Sequence, residues 1–435
     1  MLHRTLDTSI SQERKHTMQS MTKRHLAAPI FAGLLAIGSC AFAAELPDGT
    51  VISKSNIDQI KNDTFMGHKI GDLLTPTMEM FVRTYDKKYP LKKLPDMVFD
   101  PKYNEATQKY SGQVKYDPAT RKMDGYVAGL PFPTIDPADP AAGDKVIYNT
   151  YFGNSTGSDY YQEPLEMIGV NKNGFESYQH WNYQRIYAKG RLWGDTNPYP
   201  NEPDVLSKTV LVAMYPPDIR GIGTLGVRYT TPRLEDNWAY VKSARRVRRL
   251  SGNAWMDNVP GQDLLYDDIN IWAALPTAYP SVKLLGKRWI LANTHYTEKS
   301  VKEKRGTPEQ FPHLDTKNEP RFNTYMNVTP REVWIVEGIP PVQHPYGKKV
   351  VYLDAKTYSV LQGEMYDKKG ALWRFHNYHY IQRIGIKSGI MYAAALSGDL
   401  IDVKAHHATF WFAPGRADVG IDPKKISVDM LETLQ

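Results

Sequence analysis

Four arginines, Arg245, Arg246, Arg248 and Arg249, crowd into five positions of the run YVKSARRVRRLSG. A guanidinium is planar and pairs bidentately with carboxylate or phosphate, so the cluster suits an anionic partner. On a strand, alternation would turn Arg245, Val247 and Arg249 to one face and Arg246, Arg248 and Leu250 to the other. Each face would then hold two arginines, whereas a nucleic-acid site wants them converging on one surface. Directly downstream, WMDNVPGQDLLYDDINIW supplies Asp257, Asp263, Asp267 and Asp268. Two uses stay open. Neighbouring strands can pair these acids with the arginines, each surface pair contributing roughly 0–1 kcal/mol, or Arg245 and Arg248 can hold an anionic head group where their face lines a concavity.

The remaining reactive side chains do not form a catalytic pattern. GNS at 153–155 and LSG at 250–252 lack the G-x-S-x-G frame of a nucleophile elbow. GIGTLG has dinucleotide-loop glycine spacing, but it precedes the strand-like VRYTT where a helix is needed, so it reads as a turn. His376 and His379 in FHNYHY fall on opposite faces of a strand, and His406 and His407 do likewise. A metal would need one ring from each pair to meet; surface or hydrogen-bonded histidines are the simpler reading. Catalytic residues, metal and cofactor are all expected to be absent.

Compartment limits the partners further. Lys23, Arg24 and His25 precede the apolar run LAAPIFAGLLAI and then AFAAELP, the order of a secretory signal peptide with cleavage after Ala43. Residues 1–17 fit no such signal and read as lying upstream of a start at Met18 or Met21. The apolar run is short of the about 20 residues that a membrane span needs. The single cysteine, Cys40, lies inside this leader, so the exported chain is expected to have no thiol chemistry. The alternative is a lipoprotein box, IGSC, with Cys40 acylated. Without residues 1–43 the chain keeps 49 basic and 45 acidic residues, a net charge of +4, which gives a nucleic-acid binder little to work with.

The elements that would carry these residues are mostly strands. With 28 tyrosines, 9 tryptophans and 30 prolines, the composition favours a β-rich chain with many turns. Helical periodicity runs from Asn56 to about Tyr89, with Thr75 and Pro76 as N-cap and first-turn residues. Residues 44–124 form a helical and extended region, and Gly125–Val146 an extended, proline-rich loop. From Lys145 onward β-branched and aromatic runs recur between turn signals: KVIYNTYF, GFESYQHWNYQRIYAKGRL, KTVLVAMY, TLGVRYTT, WAYVKSARRVRRL, KRWILANTHY, REVWIVEGI and AHHATFWF. In KVVYLDAKTYSVLQGEMYDKKGALWRF, turns at DAKT and DKKG divide a three-stranded meander. The fold class is mainly β with a few helices: one antiparallel sheet over residues 125–435, curling into an incomplete barrel.

The run NWAYVKSARRVRRLSGNAWMDNVPGQDLLYDDI, with VAGLPFPTIDPADPAAGDKVIYN, MYPPDIRGIGTLGVRY and REVWIVEGIPPVQHPYGKKVVYLDAKTYSVLQGEMYDKKGALWR, resembles the outer-membrane lipoprotein-sorting superfamily of the carriers LolA and LolB. Within it the chain is similar to a large bacterial family, number 1329 in the domain-of-unknown-function series. The resemblance spans about Gly125 to Trp411. It implies an exported incomplete β-barrel around an apolar cavity, partly closed by helices. It also implies a periplasmic accessory of lipid or hydrophobic-compound traffic, beside an exporter of the resistance-nodulation-division type and an outer-membrane partner. LTPTMEMFVRTYDKKYPLKK replaces the family's glycine-rich LTP-x-G pattern, which leaves residues 44–124 outside the implication.

The expected function is therefore a non-enzymatic, periplasmic carrier of a lipid-like molecule. Its cavity is expected to be lined by Trp238, Tyr240, Trp255, Tyr266, Trp272, Trp289, Trp334 and Trp373, with Arg245, Val247 and Arg248 beside them. Two other readings stay open: a hydrolase of an esterified lipid or polymer, and an interaction module docking on an envelope transporter.

Overall fold

The computed structural model describes residues 43–433 apart from 154–155, 232, 243–244 and 296–299; the expected leader up to residue 42, with Cys40, lies outside them. From Ala43 onward the chain forms one compact unit. Its centre is an antiparallel sheet of fourteen strands. The first six are β1 (Asp159–Asn171), β2 (Gly174–Tyr187), β3 (Val205–Tyr215), β4 (Gly223–Tyr229), β5 (Asp236–Val241) and β6 (Arg246–Arg249). The next four are β7 (Ser281–Ala292), β8 (Thr329–Ile339), β9 (Lys348–Asp354) and β10 (Val360–Tyr366). The last are β11 (Leu372–Ile384), β12 (Met391–Asp402), β13 (His407–Phe412) and β14 (Arg416–Ala417). The order runs β6-β5-β4-β3-β2-β1-β13-β12-β11-β10-β9-β8-β7, with β14 adding to β1. The sheet curves without closing, because β6 and β7 are its two free edges.

Those two edges are consecutive in the chain. The connection between them, residues 250–280, has only short 3-10 turns at Ala254–Met256, Tyr266–Asp268 and Pro276–Ala278. Its Leu265, Ile271, Trp272 and Tyr279 pack with Met167, Trp181, Trp334, Tyr378 and Trp411 of the sheet in one apolar core. The interior of the open barrel is thus plugged by irregular chain.

Strand alternation gives the sheet a second apolar face. Leu165, Met167 and Trp411 join the inner core, whereas their neighbours Ile168, Phe410 and Phe412 join an outer core with Phe65, Leu73, Met78 and Phe81 of the N-terminal region. Helices α1 (Ile57–Ile60), α2 (Ile70–Leu73) and α3 (Pro76–Tyr85) supply that cover. Helix α3 starts as its sequence predicts, since the Thr75 hydroxyl accepts from the Met78 N–H at 3.1 Å and Pro76 needs no donor partner. Helix α4 (Pro101–Tyr110) follows, and α6 (Val428–Thr433) packs its Leu431 against Val227 and Tyr240 on the outer face of β4 and β5. Among the described residues no helix is long and apolar enough to cross a membrane.

Two expectations about elements need correction. KVIYNTYF lies in helix α5 (Ala142–Phe152), not a strand. Nearly every side of α5 is buried, so its apolar residues carry no helical stripe and imitate a strand. WAYVKSARRVRRL is two strands, β5 and β6, in a hairpin that pairs Trp238 with Arg249 and Tyr240 with Val247. Arg245 sits in its turn with a left-handed φ of 48°, so it has no place in the strand alternation.

Candidate functional site

What pins the inner segment is a fully buried charge cluster. The Lys349 ammonium on β9 donates to Asp267 Oδ2 at 2.8 Å, Asp268 Oδ1 at 3.0 Å and the Ile271 carbonyl at 2.9 Å. Tyr279 donates to Asp267 Oδ2 at 2.5 Å and Tyr346 to Asp268 Oδ2 at 2.6 Å, while Arg374 donates to the Tyr346 hydroxyl at 2.8 Å. Burial, the largest single influence, would raise the Asp267 carboxyl, but the Lys349 ammonium and the His344 ring beside it together outweigh burial and hold it below the usual carboxylate range. By the same balance, burial would lower Lys349, and the two carboxylates raise it.

Elsewhere the inner segment does not fill the curve of the sheet. Against β2–β5 it leaves a lobe of about 110 Å³, walled by Leu211, Thr224, Gly226 and Asn237 on one side and Trp255, Tyr266 and Leu275 on the other. Against β1, β11, β12 and β13 it leaves a lobe of about 120 Å³ walled by Leu165, Met167, Trp411, Val259 and Leu264. Tyr183, Arg185, Leu211 and Ile269 border both, so the two are adjoining halves of one hollow. Each approaches the volume, about 150 Å³, of an apolar cavity that takes up benzene. Asn270 closes part of the second lobe, its N–H donating to the Tyr378 hydroxyl at 2.6 Å.

The second lobe's wall also carries a latch. Hairpin residues Val259 and Leu264 are joined by a backbone bond of 2.8 Å, and Asp263 beside them accepts from Thr409 at 2.9 Å. His407 bonds to Asp263 through Nδ1 and to Glu176 of β2 through Nε2, both at 2.6 Å. The hydrogen bond to Asp263, reinforced by Glu176, pushes the ring up to about 9. His376 is the opposite case: burial pushes it down to about 4, so it is neutral and packs edge-on against Tyr378. Among the described residues no group of histidine, cysteine and carboxylate side chains could hold a metal.

Of the residues singled out from sequence, Trp255 and Tyr266 line the hollow. Trp272, Trp334 and Trp373 pack in or against the inner core; Trp272 stacks on Tyr279 at 4.2 Å between centroids, and Trp373 donates to Asp402. The expectation that Trp238, Tyr240 and Val247 line the cavity is corrected: they lie on the outer face of the β5–β6 hairpin, in the core that α6 covers. Trp289 is also outside, on edge strand β7, stacked on His68 at 3.9 Å. Arg245, Arg246 and Arg248 are exposed, and Arg249 pairs with Asp236 above the Trp238 ring. Among the described residues none of Asp257, Asp263, Asp267 and Asp268 pairs with an arginine, because the last three are turned inward to His407 and Lys349.

Three arginines reach the hollow: Arg228 and Arg233 line the first lobe, and Arg185 alone among the described residues' arginines borders both lobes. Sequence reading passed over Arg185, although a signal was present. In WNYQRIY, position 185 shares parity with Trp181 and Tyr183, so an inward Trp181 makes Arg185 inward too.

An open antiparallel sheet wound around its own edge-to-edge connection, with a largely apolar hollow left between them, defines the class. The chain belongs to the family described as "Protein of unknown function (DUF1329)", whose model matches residues 51–430. Among curated proteins, none matches. Among the similar solved structures, three illustrate the likeness at low identity. A putative outer membrane lipoprotein-sorting protein domain from Vibrio parahaemolyticus is 18% identical over 67% of this chain and 98% of its own, at a TM-score of 0.44. A DUF1329 family protein from Desulfovibrio piger is 18% identical over 68% and 100%, at 0.45. The LolA superfamily protein NE2245 from Nitrosomonas europaea is 11% identical over 67% and 100%, at 0.38.

Proposed function

We propose that this protein is a periplasmic carrier that binds a lipid-like molecule without transforming it. The observation that carries the reading is the two-lobed hollow between the inner segment and the sheet, walled by Leu165, Met167, Leu211, Val259, Leu264 and Trp411. An apolar site that is concave and largely preformed, with few polar groups, is built for an apolar ligand. The leader expected at residues 1–43 supports the compartment. Within this reading, an exporter of the resistance-nodulation-division type and an outer-membrane partner are the machinery that would hand cargo to such a carrier or receive it. The test is native mass spectrometry and organic extraction of the protein purified from its own envelope. An acyl compound in near-stoichiometric amount is expected; a protein that is empty, and that takes up no apolar probe, would end the proposal.

A further inference from the structure

Arg185 lies at the junction of the two lobes and is only 8% exposed. Its Nε donates to Thr209 Oγ1 at 3.3 Å and its Nη1 to the Tyr187 hydroxyl at 3.1 Å. The guanidinium stands over the Tyr183 and Tyr187 rings, 5.2 and 5.6 Å from their centroids. Of its five N–H groups these bonds use two, and none meets a carboxylate among the described residues. The acids of that wall are already engaged: Glu235 pairs with Arg228, and Asp236 with Arg233 and Arg249. Arg228 and Arg233, which also line the first lobe, thus each have a carboxylate partner, whereas Arg185 has none among the described residues. Burying a cation in that state costs several kcal/mol, and an arginine does not escape by deprotonating.

We propose that Arg185 receives the anionic head group of an amphiphile whose apolar tail lies in the lobe walled by Leu165, Met167, Leu211, Val259 and Leu264. This rests on the carrier reading and narrows its ligand class. Carboxylate and phosphate present the same pair of oxygens to the free side of the guanidinium fork, so a fatty acid and a phosphate-bearing lipid share the chemistry. The head group takes the place of a side-chain carboxylate, and the aromatic walls keep water from competing for it.

Hexanoate, hexyl phosphate and hexanol, whose short tails suit a lobe of this size, test the head group with the tail held constant. The wild-type protein is expected to bind at least one of the two anions about tenfold more tightly than hexanol. Whichever anion binds more tightly identifies the source of the head group. In Arg185→Gln that preference should vanish while hexanol still binds. Equal binding of all three by the wild type would overturn the head-group assignment and leave the carrier reading standing. Binding of none would overturn both, and an Arg185→Gln protein that keeps the full preference would overturn the role of Arg185. The wild-type panel decides the matter even if Arg185→Gln does not fold.

Discussion

Lys349 is the side chain on which the interior depends most. Its ammonium, 0% exposed, sits between two carboxylates that are equally buried. Replacing a whole buried ion cluster by apolar groups is often nearly neutral, but removing one partner strands the others without water, at a cost of about 3–5 kcal/mol. Lys349→Met should therefore lower the unfolding free energy by about that amount, read as a shift in the denaturant midpoint. Adding Asp267→Asn and Asp268→Asn should recover part of the loss, because the stranded charges go with them. A midpoint unmoved by Lys349→Met would show that the ammonium does not neutralise these carboxylates in the folded protein. The exposed arginines of β6 do a different job. A four-residue edge strand bearing Arg246, Arg248 and Arg249 resists pairing with another sheet, and edge strand β7 carries Lys283, Lys287 and a bulge at Gly286 to the same effect.

At the scale of the strands, the hollow exists because one inner row runs short of bulk. Tyr160, Arg185, Thr209, Gly226 and Asn237 stand opposite one another across β1 to β5, and the row shrinks to a hydroxyl and a hydrogen at its middle. A Cβ added at Gly226 would meet only the Asn237 amide oxygen at 3.0 Å, the end of a flexible side chain. Gly226→Leu should thus fold, with a midpoint near that of the wild type, while its isobutyl group occupies the first lobe. Binding of an apolar probe should weaken about tenfold, the cost of roughly one or two buried methylenes of ligand; unchanged binding would show that ligand does not enter this lobe. The strand positions themselves were legible, because a period of two and the turns at DAKT and DKKG survive in any sheet with one dry face. KVIYNTYF was not, since a helix buried all round has no stripe to read. Nor were the partners of Asp267 and Asp268: Lys349 lies 82 and 81 positions away, and only the path of the connection through the barrel brings them together. The run of four arginines drew attention by its density, while Arg185, which borders both lobes without a carboxylate partner among the described residues, stands alone in an ordinary strand.

Taken as a whole, the molecule is a sheet whose two free edges are joined by the segment that fills it, so the hollow can change size only if that segment moves against the sheet. Lys349 fixes the segment to β9, and the Val259–Leu264 hairpin rests against β13 and β2 through His407. The two contacts differ in kind. The lysine cluster is sealed, whereas the His407 ring is 25% exposed and titrates. Its folded-state value, about 9, lies above the ordinary 6.5. Protonation therefore favours the folded state: the contribution is complete below about pH 6.5 and is lost as pH rises through about 9. A rise of that size corresponds to at most about 3 kcal/mol, and screening at a partly exposed ring reduces it to nearer 1 kcal/mol. Thermal stability of the wild type should accordingly decline between pH 6.5 and pH 9 by a few degrees more than that of His407→Gln, whose side chain keeps a hydrogen bond but cannot titrate. Parallel curves for the two proteins across that window would mean that folding does not raise the proton affinity of His407, and that its contacts with Asp263 and Glu176 add no charge-dependent hold on the hairpin.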